Sequence, residues 1–133
     1  MPIRGIRGAI SVPRNTRHEI FHRTQELLRA MIHANHIRKE NVAAAFYTLT
    51  PDLDADFPAY AARDIGWKHV PMMCASELPV PGAMKRVVRV MLLVDTYQTP
   101  EEIRHQYLGE TASLRPDLAR PEGKARKRRR PKR

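Results

Sequence analysis

The run Val87-Val88-Arg89-Val90-Met91-Leu92-Leu93-Val94 constrains this chain more than any other stretch. β-Branched and aliphatic residues in a short unbroken run form a buried strand, assigned here to residues 84–95. Alternation puts Val88, Val90, Leu92 and Val94 on one face and Val87, Arg89, Met91 and Leu93 on the other. The first face belongs in a core. The second is apolar except for Arg89, so it is half enclosed. A guanidinium does not shed its proton, and burying it without an anion costs on the order of several kcal/mol. Arg89 therefore reaches water at an edge, pairs with a carboxylate such as Glu77, or meets an anion from outside.

A strand of this kind needs a sheet around it. Residues 3–12, IRGIRGAISV, read as a strand whose glycines at 5 and 8 mark a bulge or a close approach of backbone. Thr16 with Glu19 fits a capping box, and Ile20, Thr24, Leu27, Leu28, Met31 and Ile32 recur at helical spacing, so residues 17–34 form an amphipathic helix that Asn35-His36 ends. VAAAFYTLT, residues 42–50, reads as a buried strand, and TPDLDADFP as a loop. Pro58 opens a short helix, AYAARDI, that Gly66 stops. WKHVPMMC reads as a strand in which Pro71 marks an edge or irregular position, and PVPG as a turn. Thr99-Pro100-Glu101-Glu102 carries the start signals of another helix, TASL extends briefly, and RPDL makes a terminal turn. Strands and helices mix without strict alternation, which predicts an α/β (α+β) domain with a single mixed β-sheet covered by helices.

The formal net charge of +10 is unevenly placed. Residues 119–133, ARPEGKARKRRRPKR, hold nine Lys/Arg against one Glu, a net of +8, which leaves +2 for residues 1–118. The expected division is a nearly neutral globular domain over 1–118 and a basic, disordered tail over 119–133. The tail lacks aromatic side chains for base stacking, which points to loose binding of nucleic acid or another polyanion rather than a sequence reader. No apolar run approaches the roughly 20 residues that cross a bilayer. MPIRGIRGAISV lacks the apolar stretch of a signal peptide, and a lone cysteine, Cys74, forms no intrachain disulfide. The expected location is the cytoplasm, with no membrane partner.

His18-Glu19-Ile20-Phe21-His22 matches the zinc-peptidase pattern H-E-x-x-H. The helical wheel opposes that reading: His18 and His22 fall with Arg29 and His33, opposite a stripe centred near Thr24 and Met31. This is a solvated face, and no metal site is assigned. Taken singly, Cys74 reads as a small buried hydrophobe and Tyr107 as a packed aromatic.

Several blocks together are more specific. IRGIRGA, TPDLDADFPAYAAR, VPMMCASEL, KRVVRVM and IRHQYL…LRPDL, in that order from about residue 2 to residue 118, resemble the monofunctional chorismate mutases of the trimeric α/β class. The resemblance implies three subunits in a pseudo-barrel, with sites between neighbours that convert chorismate to prephenate without a cofactor. It implies Arg89, Glu77 and Cys74 as catalytic residues and Arg7 and Tyr107 as carboxylate grips, all from one subunit. Phe57, Ala59 and Arg63 would line the site from the next subunit, and Leu114 and Arg115 would close it. Two positions depart from the family pattern. Tyr60 stands where lysine is common, which removes a charge near the entrance. Met73 stands where a small polar residue is common, and it would bear on substrate mainly through its backbone.

Overall fold

The computed structural model describes residues 2–113. The elements run β1 (Ile3–Ser11), α1 (Arg17–Asn35), β2 (Val42–Leu49), α2 (Ala59–Asp64), β3 (Met72–Ser76), β4 (Val87–Asp95) and β5 (Gln106–Leu108). The strands form one mixed sheet in the order β3-β2-β4-β1-β5. β4 is antiparallel to both β1 and β2, while β3 joins β2 and β5 joins β1 in parallel. The helices lie on one face, so the expectation of a single mixed sheet covered by helices holds.

The arginine-bearing run is the middle of the sheet, and its alternation is as the sequence requires. Val88, Val90, Leu92 and Val94 are buried in the main core with Ile6, Ile10, Tyr47 and the inward face of α1. Arg89, Met91 and Leu93 look the other way and are half-buried. In α1 the inward stripe is Ile20, Thr24, Leu27, Leu28 and Met31, and His18, His22, Arg29 and His33 are exposed. Thr16 caps the helix by accepting from the Glu19 N–H at 3.1 Å. The reciprocal half of the capping box is not made, because the Glu19 carboxylate turns to Arg23 one helical turn on. At the other end His36 adopts a left-handed conformation (φ 53°) and returns its N–H to Ile32.

Gly8 explains how close α1 comes to the sheet. A Cβ at this position would lie 2.5 Å from Met31 Sδ, so that something must shift, and a tight 3.0 Å from Leu27 Cδ1. The glycine is a packing device that lets the helix lie flat on β1.

Three expectations are corrected. The helix signalled by Thr99-Pro100-Glu101-Glu102 is a single turn. Glu102 does accept from the Thr99 N–H at 2.8 Å, as a capping box should, and its own N–H returns to the Thr99 carbonyl. The chain then extends, because buried Asn35 accepts from the Arg104 N–H and donates to its carbonyl, and residues 106–108 pair with β1 as a fifth strand. Tertiary pairing outweighs the local start signal. The strand placed at WKHVPMMC begins only at Met72: Pro71 lacks an N–H, and its carbonyl supplies the first rung by accepting from Ala45. Trp67 and Val70 are buried as irregular chain. β4 begins at Val87 rather than 84, since Arg86 takes a positive φ of 53° and gives its N–H to Asp52. Thr111-Ala112-Ser113 continues briefly, as a 3-10 turn over Gly109–Ser113. The assignments for Leu114, Arg115, the terminal RPDL turn and the tail lie outside the described residues.

Candidate active site

The helix-free face of the sheet carries two rows of side chains fixed by strand register. Ala75, Thr48, Arg89, Ala9 and Tyr107 stand side by side across β3, β2, β4, β1 and β5. Met73, Phe46, Met91 and Arg7 form the next row. Ala9 is the smallest member between two large polar side chains, so a hollow opens over it. The resulting cleft, about 180 Å³, is lined by Arg7, Ala9, Phe46, Thr48, Arg89, Met91 and Tyr107.

Arg89 does not stand alone. Its Nε donates to Glu77 Oε2 at 2.9 Å, and both side chains are partly sheltered. Thr48 Oγ1 donates to the same oxygen at 2.5 Å. Glu77 is held from behind as well, its N–H bonded to the Leu49 carbonyl at 2.8 Å. One carboxylate oxygen thus takes two donors, and Oε1 has no partner among the described residues. The guanidinium spends its Nε on the pair, and its two terminal nitrogens have no partner among the described residues. That pairing answers the charge question raised by the sequence, and it still leaves donors to spare among the described residues.

Two more groups point to an anion. Tyr107 is only 6% exposed, yet its hydroxyl has no hydrogen-bond partner among the described residues. A buried O–H with no acceptor is costly unless a ligand supplies one. Arg7 lines the same cleft and makes no ion pair among the described residues. Its backbone N–H donates to His105 Nδ1 at 2.9 Å, which ties β1 to the segment entering β5.

The remaining site residues assemble elsewhere. Cys74 pairs in register with Tyr47, which points to the helices, so Cys74 lies on the opposite face from Arg89. Burial pushes its thiol above the usual value, offset only in part by a hydrogen bond from the Ala59 backbone. Burial likewise raises the Tyr47 phenol, with the neighbouring Cys74 adding to it. Cys74 is therefore a neutral thiol beside the start of α2, suited to a polar contact and not to nucleophilic attack. Phe57, Ala59 and Arg63 belong to this second group; Phe57 and Arg63 are exposed. Met73, 67% exposed, sits at the rim of the open face. The resemblance implies Cys74 acting with Arg89 from one subunit. Within one chain the fold instead unites Arg89, Glu77, Arg7 and Tyr107 and places Cys74 with α2.

Thr48 was not legible as a neighbour of Arg89 and Glu77. Its alternation with Ala44 and Phe46 is visible in VAAAFYTLT, but only the register of β2 on β4 sets it beside Arg89. At the zinc-like motif, His18 and His22 stack with ring centroids 6.1 Å apart on the solvated face. Among the described residues no group of three His, Cys, Asp or Glu is placed to hold a metal ion, and no helix is long and apolar enough to cross a membrane.

Comparison with known proteins points the same way as the cleft. The family model for chorismate mutase type I matches residues 3–118. The chorismate mutase AroH of Bacillus subtilis (strain 168) is 46% identical over 120 residues, covering 90% of this chain and 94% of that protein. The chorismate mutase AroH of Thermus thermophilus is 49% identical over 117 residues, 87% of this chain and 96% of that one. A chorismate mutase structure from Clostridium thermocellum superposes with a TM-score of 0.82 at 40% identity, over 84% of this chain and 99% of the other.

Proposed function

Since this chain belongs to the type I chorismate mutase family and is an isomerase converting chorismate to prephenate on the way to aromatic amino acids, we propose that the cleft over Arg89 is where the rearrangement occurs. The observation that carries this reading is the Arg89–Glu77 pair. It holds a half-buried guanidinium in place, and among the described residues its terminal nitrogens and the Tyr107 hydroxyl that lines the same cleft have no partner.

The reaction is an intramolecular bond exchange, so no side chain needs to attack or to carry a proton. Substrate must be held compact so that the two carbons to be joined meet. As the C–O bond breaks ahead of C–C formation, negative charge gathers on the ether oxygen. A fixed cation aimed there binds the transition state better than the ground state. Arg89 supplies that cation. Glu77 Oε1 accepts from the ring hydroxyl and favours positive character on the ring, while Thr48 keeps Oε2 and the Arg89 orientation in place. Arg7 and the Tyr107 hydroxyl take a substrate carboxylate, the acceptor that the buried phenol lacks.

Cys74, Phe57, Ala59 and Arg63 stand across the sheet from Arg89, so they reach a cleft of this kind only from a second copy. We infer a homotrimer in which the α2 group of one subunit walls the cleft of the next, with Met73 at the rim of the open face. The apolar side chains of the open face, among them Ile3, Phe46 and Met73, support such packing. In this reading residues 1–118 are the catalytic domain, with Leu114 and Arg115 closing over substrate. The basic tail of 119–133 is an appendage that contacts polyanions, and the enzyme works in the cytoplasm.

The test is the loss of chorismate ultraviolet absorbance with purified protein. Wild type is expected to turn over chorismate, and Arg89→Ala to lose on the order of a hundredfold or more in kcat. Near-normal turnover by Arg89→Ala would refute the assignment of the cleft.

A further inference from the structure

Beside α2 the chain builds a stack of rings and guanidiniums that the bond exchange itself does not demand. Arg17, paired with Asp56 at 3.0 Å, lies 4.9 Å over the ring of Phe21. Phe21 meets Tyr60 edge-on at 6.3 Å, and Tyr60 meets Phe57 edge-on at 5.8 Å. The Arg63 guanidinium lies 5.0 Å over the Tyr60 ring. Just ahead of this stack Asn15 grips the loop into α2. Its Oδ1 accepts from the N–H groups of Asp54 and Ala55 at 3.0 and 3.1 Å, and its Nδ2 donates to Asp54 Oδ1 at 2.8 Å. The start of α1 therefore anchors the approach to α2, and Tyr60 is the ring through which that anchor reaches Arg63.

Arg63 is exposed and makes no ion pair among the described residues. An arginine in that setting samples many rotamers, and ordering it on binding costs free energy. A ring beneath it narrows the choice. We infer that Tyr60 is a positioning residue for the isomerisation. In edge contact with Phe21 and Phe57, it presents the surface on which Arg63 is preset. This rests on the placement of Phe57 and Arg63 at the site proposed above. A preset Arg63 grips substrate and transition state alike, so the effect belongs in KM and not in kcat.

The experiment is steady-state chorismate kinetics on the full chain for wild type, Tyr60→Phe, Tyr60→Leu, Arg63→Ala and the Tyr60→Leu/Arg63→Ala double variant, with melting temperatures taken alongside. Tyr60→Phe keeps the ring and should match wild type. Tyr60→Leu should raise KM about two- to fivefold, the range of an exposed cation–ring contact, with kcat unchanged. In the Arg63→Ala background the same leucine should add little, because the pair acts as one unit. The inference is overturned if Tyr60→Phe is as impaired as Tyr60→Leu, if leucine lowers kcat and leaves KM alone, or if the two substitutions are additive. A wild type that does not consume chorismate would instead overturn the proposed function, and this inference with it.

Discussion

The opposite face of β4 would bury Arg89 as a lone charge; on the face it occupies, it pairs with Glu77 and lines the cleft. Its pairing with Glu77 through Nε fixes the plane of the guanidinium, so geometry and charge both matter. Arg89→Lys keeps the charge and loses the fork. Its kcat should fall by about a hundredfold with the fold intact, read by chorismate kinetics beside circular dichroism. Thr48 acts one step back, through the oxygen it shares with Arg89. Thr48→Val removes one charge-assisted hydrogen bond and should lower kcat/KM about tenfold, while Thr48→Ser restores most of it. Of these residues, Arg89 and Glu77 were legible in the sequence, since a permanent charge inside an aliphatic run demands a partner. Thr48 was not, because its meaning depends on which residue of β4 it faces. Cys74 was legible as a position but not as a side, since the strand carrying it starts five residues later than its sequence suggests.

The elements that sequence periodicity describes well are those whose burial is set by their own pattern. α1, β1, β2 and β4 have one wet or half-open face and one dry face, and their alternation or helical spacing survives folding, save for a bulge between Val42 and Ala44 in β2. β5 has three residues and exists only because β1 is there to receive it. Nothing within Gln106-Tyr107-Leu108 separates it from a helix, and the capping residues upstream argue for one. Contact between elements is also where stability is most exposed. Gly8→Ala drives a methyl group into Met31 and Leu27; the methionine can swing, but Leu27 is fully buried. The change should cost about 1–3 kcal/mol, read as a lower urea midpoint. Asp52 joins the end of β2 to the start of β4. Burial alone would raise its carboxyl, but the bonds from Thr50 Oγ1 and the Arg86 N–H, with the Arg86 charge, hold it below the ordinary value. A carboxylate depressed in the folded chain stabilises fully above its unfolded pKa, about 4, and that gain is lost as pH falls through the folded value. Asp52→Asn should therefore be less stable than wild type at pH 7. The gap should close below about pH 4, as urea midpoints across that range would reveal.

At the scale of the whole molecule, the sheet divides the candidate site residues. Arg7, Glu77, Arg89 and Tyr107 lie on one side, and Cys74, Ala59 and Arg63 on the other. If neighbouring copies complete the cleft, two crippled chains should rescue each other. Co-refolded Arg89→Ala and Arg63→Ala chains, mixed equally and assayed at substrate well below KM, where loss of Arg63 is felt, should regain about a quarter of wild-type sites, because a site then draws each half from a different chain. Light scattering should give three times the 15.3 kDa of a single chain. No rescue, with a monomeric mass, would leave the α2 residues without a role in catalysis. The rims of the sheet carry a separate consequence. β5 has three residues and β3 has five, preceded by a proline, so neither margin offers a long ladder of free amides for another chain to extend. Crowded solutions should accordingly coalesce through the bare broad side into closed, countable particles, and resist lengthening into fibrils.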